Sequence, residues 1–310
     1  MQSGKALRTA REAAGVSLRA LARRAHYSPG YLSQVENGQR PVTPEIVAAY
    51  ECTLGTDVGR LASATASPQH VDASALDDVA DMLAAIRRLE DRVGAVAVLP
   101  AVRGMAEMSE QFAGESRGSI AAPAARLASE VSQFRGWLEH AAGADPAARR
   151  SLSTALKLAE ECGDPDRLTH ALSFRAYVEA ESANYAAAGA LSAAAVAVPG
   201  AHPLLGVYER FQRARVLALT GEPRAAEAAL ADADHAQAAA EDETPPEAGY
   251  RYTPGFYGLQ RARVLRTLGL TEQASAEVVA AVEALPEEHR RAPWAVKWRA
   301  AASGEIDVPH

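Results

Sequence analysis

The 310-residue chain holds only two cysteines, Cys52 and Cys162, with no partner at metal-ligand spacing. That excludes a disulfide framework and a thiolate zinc site, and both side chains read as small core residues. Aromatic residues make up 5% of the chain while alanine abounds, which favours closely packed helices over a sheet. No apolar run is long enough to span a bilayer, and the basic, amphipathic N-terminus lacks the apolar stretch of a secretory leader. The reading is a cytoplasmic, reduced protein with no membrane partner. Catalytic signatures are missing too: there is no GxGxxG, Walker loop, HExxH or nucleophile elbow, and the eight histidines share no ligand spacing. Acidic clusters such as Glu160-Glu161 and Glu241-Asp242-Glu243 read as solvated helix ends or as part of an insertion. The expectation is a non-enzyme with no cofactor and no metal.

What is present begins at residue 17. Ser17 is a candidate N-cap for a helix whose apolar face is Leu18, Leu21, Ala22 and Ala25, with Arg19, Arg23 and Arg24 opposite. Ser28 caps the next helix, Pro29 suits its first position, and Tyr31, Leu32 and Val35 turn inward while Ser33 and Gln34 face out. Gly38 suits the left-handed position after Glu36 and Asn37, and Arg40 follows. Flanking helices are expected at Lys5 to Ala14, stopped by Gly15, and at Thr43-Pro44 to Leu54, with a short fifth helix at Asp57 to Leu61. Two short helices joined by a tight turn and edged with basic and small polar side chains are the layout of a helix-turn-helix. Charge agrees: residues 1–40 hold seven basic against two acidic side chains, within a chain whose net charge is −7. A basic head on an acidic body confines contact with phosphates to one end.

These residues resemble the Xre family of DNA-binding domains, which includes the phage repressors. The resemblance rests on Leu7, Arg8, Arg11, Glu12, Gly15, Ser17, Leu21-Ala22, Ala25, Ser28, Tyr31-Leu32-Ser33, Glu36, Gly38, Arg40 and Pro41, and covers residues 1–62. It implies double-stranded DNA as a partner. It places Ser28, Pro29, Gly30, Ser33 and Gln34 against base edges, and Arg19, Asn37 and Arg40 on the backbone. Pro29-Gly30 stand where phage repressors often carry long amides, so base reading falls on Gln34, Ser33 and Tyr31, with glutamine able to pair bidentately with adenine. The other reading of the head is a small bundle that binds protein, as in antitoxin-like relatives.

Residues 63–74, small, polar and proline-containing, read as a linker. Residues 75–118 read as connecting helices. In the first of them Leu76, Val79, Leu83, Ile86, Leu89 and Val93 form one apolar stripe, with Asp77, Asp78, Arg87, Arg88 and Glu90 outside. Such a stripe either pairs two subunits or packs as the first helix of the body. A second helix is expected at Ala101 to Gln111, after a break at Pro100.

From residue 119 the chain repeats itself. Small residues at helix-hairpin turns align at Gly143, Ala183, Gly221 and Gly269. An arginine and a small residue stand eight and seven positions earlier: Arg135-Gly136, Arg175-Ala176, Arg213-Ala214 and Arg261-Ala262. An alanine stands five positions later: Ala148, Ala188, Ala226 and Ala274. This spacing resembles the tetratricopeptide repeat, in which two antiparallel helices approach closely where their side chains are small. The periods exceed those of that family, and EDETPPEAGYRYTP, from Glu241, interrupts the third and fourth units. Trp294 and Trp298 read as the inner face of a capping helix. The expectation is an all-α protein: a five-helix head over 1–62, and a tetratricopeptide-like solenoid with a capping helix over 119–310.

The first helix of each hairpin lines the groove of such a solenoid. By register the lining is Trp137, His140, Tyr177, Phe211, Arg215, Leu259, Arg263 and Arg266, a mixture suited to an extended peptide or an acidic tail. Arg135, Arg175, Arg213 and Arg261 recur in every unit and therefore serve the repeat. The architecture resembles the peptide-responsive regulators of Gram-positive bacteria, which implies a homodimer whose DNA binding answers to a peptide, small molecule or protein in the groove. The alternative is an interaction scaffold for which the head is only a tether.

Overall fold

Residues 4–13, 16–54 and 71–304 are described by a computed structural model, and every regular element among them is helical. Gly15, the expected helix at Asp57–Leu61 and residues 63–70 of the linker lie outside the described residues. The chain divides into two compact units, Met1–Asp81 with Gln111–Ala121, and Met82–Glu110 with Ala122–His310.

The head consists of α1 (Gly4–Ala13), α2 (Leu18–Arg24), α3 (Pro29–Glu36) and α4 (Pro44–Leu54) around Leu7, Leu21, Leu32, Val35, Ile46 and Tyr50. The caps expected from the sequence are made. The Ser17 hydroxyl accepts from the Ala20 amide at 3.2 Å and the Ser28 hydroxyl from the Tyr31 amide at 3.1 Å, each satisfying an orphan donor of a first helical turn. Pro29 opens α3, and Gly38, at φ +73°, carries the chain away from it. One contact went unread. Arg11 forks onto Glu36 at 2.7 and 2.8 Å, and the Tyr50 hydroxyl donates to the same carboxylate at 2.9 Å, joining α1, α3 and α4 inside the core.

Next come α5 (Ala73–Val93) and α6 (Ala95–Glu115). Ala73 and Ser74, read as linker, are already helical because the Asp72 carboxylate caps α5 through the Ala75 amide at 2.8 Å. Pro100 does not break α6, which starts five residues before it. Close to the start of a helix, proline removes only the bond to the Val96 carbonyl, and Val96 is exposed, where water substitutes. Of the apolar stripe of α5, Leu76, Val79 and Leu83 are buried, while Leu89 is 39% and Val93 51% exposed; Arg87 and Glu90, expected outside, are only 4% and 3% exposed. Cys52 is exposed and Cys162 half-buried, so neither is the core residue expected.

The body stacks four hairpins: α7 (Ala121–Ala141) with α8 (Asp145–Cys162), α9 (Pro165–Glu181) with α10 (Tyr185–Val196), α11 (Pro203–Leu219) with α12 (Pro223–Ala239), and α13 (Pro254–Thr267) with α14 (Thr271–Ala284). Short α15 (Glu287–Arg290) and the capping helix α16 (Pro293–Ser303) follow. The four aligned turn residues share one conformation, with φ of +77° at Gly143, +59° at Ala183, +78° at Gly221 and +79° at Gly269. The repeated alanines at 148, 188, 226 and 274 are fully buried, as are Ala176, Ala214 and Ala262, which lets the paired backbones approach. Trp294 and Trp298 are buried, Trp298 lying 4.8 Å from Phe256 between ring centres.

Ala183 is the one turn residue of the four with a β-carbon in the left-handed region, where that carbon crowds the following carbonyl. Ala183→Gly is therefore expected to stabilise the second hairpin by about 0.5–1 kcal/mol, the relief of strain outweighing the added freedom of the unfolded chain. A thermal melt checks this; a lower melting temperature would show that the turn carries no strain.

Candidate nucleic-acid interface and ligand groove

The outer edge of α3 carries most of the DNA-binding candidates. Arg19, Ser28, Pro29, Gly30, Gln34, Asn37 and Arg40 are exposed, and Tyr31 and Ser33 are half-buried. Ser28 uses its hydroxyl as the cap, and Pro29-Gly30 offer no side-chain donor, with open space above Gly30. Five of the rest fall into two sets of contacts. Arg40 Nε donates to Gln34 Oε1 at 2.7 Å while its guanidinium lies 5.1 Å from the Tyr31 ring centre. Asn37 Nδ2 donates to Ser33 Oγ at 3.4 Å, and Tyr31 stacks on Tyr27 at 5.7 Å. With Arg40 on one lone pair of its oxygen, Gln34 presents its amide N–H groups and the remaining lone pair. Together with the guanidinium these make a donor edge, matched to phosphate oxygens or to guanine N7 and O6; the second lone pair of the oxygen leaves bidentate pairing with adenine open as well.

In the repeat body, five of the eight expected groove residues come together. Trp137 on α7 lies 5.9 Å from Tyr177 on α9, and His140 lies 5.3 Å from the same ring. Arg215 on α11 and Arg263 on α13 both bind Glu181, at 2.7 and 3.1 Å, and Arg263 spans the Tyr177 and Trp298 rings at 5.8 and 5.9 Å. Burial pushes the Glu181 carboxyl up, but the two guanidinium groups prevail and hold it below the usual carboxylate range. The other three are placed differently. Phe211 and Leu259 lie inside the core, where Phe211 stacks on Tyr257, whereas Trp137, Tyr177 and Arg263, although also buried, gather around Glu181. Arg266 lies against Gly304, where a β-carbon would collide with it. Of the repeated arginines, Arg135 and Arg175 bind Glu139 and Glu179 one turn on, and Arg261 binds Glu277 of its own hairpin partner, as expected of residues serving the repeat.

The richest part of the body was not legible as a site. Glu130 on α7 sits between Arg87 of α5 and Arg167 of α9, each at 2.6 Å. Burial opposes its charge, but the two arginines hold the carboxyl down to about 2. His170, buried beside them, is pushed down to about 3 by burial and by those same arginines, so it stays neutral; its Nε2 lies 3.1 Å from the Tyr252 hydroxyl. A second cluster centres on Arg251, from the inserted segment. It binds Glu90 and Asp91 of α5, the latter at 3.1 Å, and its guanidinium lies 5.2 Å from Tyr250 and 5.6 Å from Trp294. Asp91 also accepts from the Trp294 indole at 2.8 Å and from the Tyr250 hydroxyl. Burial raises the Glu90 carboxyl, with Arg251 opposing. The only signal in the sequence was the Tyr250-Arg251-Tyr252 run. Among the described residues no group of His, Cys, Asp and Glu is placed to hold a metal, and no helix is long and apolar enough to cross a membrane.

The fold and the edge of α3 define an all-helical protein with a helix-turn-helix head and a helical-repeat body. Residues 3–64 match the helix-turn-helix domain family, so the head is a member of that class. Over nearly the whole chain the fold is similar to two solved structures. One is Bacillus thuringiensis PlcR in complex with the peptide PapR7 and DNA, at 11% identity and a TM-score of 0.46, covering 98% of each chain. The other is the apo form of the competence regulator ComR from Streptococcus vestibularis, at 12% identity and a TM-score of 0.45, covering 97% of each. No curated protein matches the chain in sequence.

Proposed function

We propose that the chain is a homodimeric, DNA-binding transcription regulator whose repeat body takes a peptide or a similar ligand that modulates DNA binding. The observation that carries the reading is the polar edge formed by exposed Gln34, Asn37 and Arg40 with half-buried Tyr31 and Ser33 on a properly capped α3 within a helix-turn-helix domain. Two heads would read half-sites about one helical turn apart, with phosphate contacts supplying most of the affinity and a steep salt dependence. The aromatic and arginine lining around Glu181 supports a ligand with carbonyl and carboxylate acceptors.

The test is footprinting on the promoter region next to the chain's own gene, followed by titrations on the protected sequence and on a scrambled duplex. Gln34→Ala is expected to reduce discrimination between the two by about tenfold, on the order of 1–2 kcal/mol, with little change on the scrambled duplex. Arg40→Ala should weaken both and lower the slope of log affinity against log salt by about 1. Because Arg40 donates to Gln34, the double variant should lose less than the sum of the single losses. Equal losses from both single variants on both duplexes would overturn this division of roles, and no protected sequence at all would overturn the regulator.

A further inference from the structure

The end of α5 is built the wrong way round for a helix packed on a core. Its apolar residues Leu89 and Val93 face out, and its charged residues Arg87 and Glu90 are sunk, Arg87 against α7 and Glu90 against Arg251 of the inserted segment. Burial of charge over apolar surface is unfavourable unless the opposing surface is itself charged and hydrogen-bonding. Here it is. Arg87 meets Glu130, while Glu90 and Asp91, one turn further along the same face, meet Arg251. The signs match in order along the helix, as they would for a bound partner.

We propose that residues 82–93 are a tethered occupant of this face, and that the cradle they fill, centred on Arg251, is a binding site for a peptide with two adjacent carboxylates that competes with Glu90 and Asp91. The proposal rests on reading the repeat body as a ligand sensor. Three features beyond the match of charge support it. First, the cradle is held by the body's own residues: Arg251 Nε donates to the Tyr250 hydroxyl at 3.0 Å and its guanidinium lies over the Trp294 ring, neither of which depends on α5. Glu130 likewise keeps Arg167 when Arg87 leaves. Second, three donors converge on the Asp91 carboxylate, from Arg251, Tyr250 and Trp294, an arrangement that selects carboxylates rather than apolar groups. Third, buried ion pairs yield little net stability because desolvation offsets their attraction, so the charged end of the segment, from Arg87 on, is held less firmly than its start, where Leu83 and Ala84 are buried.

The test uses the full chain and a fluorescein-labelled, C-amidated peptide of residues 80–93, ADMLAAIRRLEDRV, followed by fluorescence anisotropy. In the native chain the tethered segment fills the cradle at high effective concentration and excludes the peptide. The variant E90Q/D91N, whose own segment is loosened, is expected to bind the peptide at least tenfold more tightly than the native chain. A peptide with glutamine and asparagine at the two acidic positions should bind that variant at least tenfold more weakly. Adding Arg251→Gln to the variant should abolish the gain. If melting shows that E90Q/D91N does not fold, Arg87→Gln loosens the segment through its other ion pair, and the same order of affinities is expected. Equal binding to native and loosened chains, or indifference to the peptide's two carboxylates, would overturn the proposal. No duplex enters the measurement, so its outcome is independent of whether the head binds DNA.

Discussion

A chain carrying Arg11→Ala is expected to lose about 3 kcal/mol of stability in its head, and DNA binding with it, while the repeat body melts as before. Arg11 supplies two of the three hydrogen bonds that Glu36 accepts, and donates a further one to the Val16 carbonyl at 3.0 Å. The Glu36 side chain is 4% exposed, so without the guanidinium a carboxylate is left buried with only the Tyr50 hydroxyl. A bundle of about fifty residues holds only a few kcal/mol in all, which makes this loss close to the whole. The composition supplies the readout: all three tryptophans, Trp137, Trp294 and Trp298, lie in the body. Tryptophan fluorescence should therefore follow an unchanged transition while far-ultraviolet dichroism shows an early loss of helix. Replacing both partners, as Arg11→Met with Glu36→Leu, removes the stranded charge and should recover most of the stability, short of about 1 kcal/mol for the orphaned Tyr50 hydroxyl. A double variant no better than the single one would show that the pair acts through something other than charge.

That pair also marks the boundary of what the sequence discloses. Caps and turns are local, set by residues three or four apart, so Ser17, Ser28, Gly38 and the four aligned hairpin turns were legible before any coordinates. The repeated small residues were legible because close helix approach demands them at fixed spacing. Arg11 and Glu36 are twenty-five positions apart and each is polar, so nothing in either neighbourhood announces that they meet. The same holds for Arg251, whose partners lie some 160 positions earlier. Arg87 and Glu90 of α5 were misread as outside residues for a further reason: periodicity reports which residues are apolar, and it predicts burial only when the opposing surface is apolar as well. Against a charged and aromatic surface, Arg87 and Glu90 turn inward and Leu89 and Val93 are displaced outward. For Phe211 and Leu259 the hairpin register was sound but the face of the helix was wrong by part of a turn, which puts them in the core.

Gly255→Ala is the second substitution from which a large effect is expected. Gly255 is the second residue of α13, and a β-carbon there would lie 2.6 Å from the Ala281 carbonyl oxygen and 2.5 Å from the Leu285 nitrogen. Those two atoms are hydrogen-bonded to each other at 3.1 Å at the end of α14, so the added methyl would press on that bond. Both are main-chain atoms, so no change of rotamer relieves the contact; either the two helices part or the bond breaks. Gly136 offers the comparison, since its β-carbon would lie 2.6 Å from Leu152 Cγ, a side-chain atom that can shift, although within a packed core, and no closer than 3.3 Å to a main-chain atom, the Ala148 oxygen. Gly136→Ala is accordingly expected to cost about 1 kcal/mol and Gly255→Ala about 3 or more. The damage at Gly255 should spread to the site. Phe256 and Tyr257, the next two residues, pack on Tyr252 at 5.2 and 6.0 Å, and Phe256 on Trp298. Shifting α13 therefore disturbs Tyr252 and Trp298 together, and through Trp298 the Arg263 that helps to hold Glu181. Thermal melts followed by tryptophan fluorescence separate the two variants. If Gly255→Ala melts no lower than Gly136→Ala, the crossing of α13 and α14 is looser than the interatomic distances require, and the fourth hairpin is not what keeps Arg263 on Glu181.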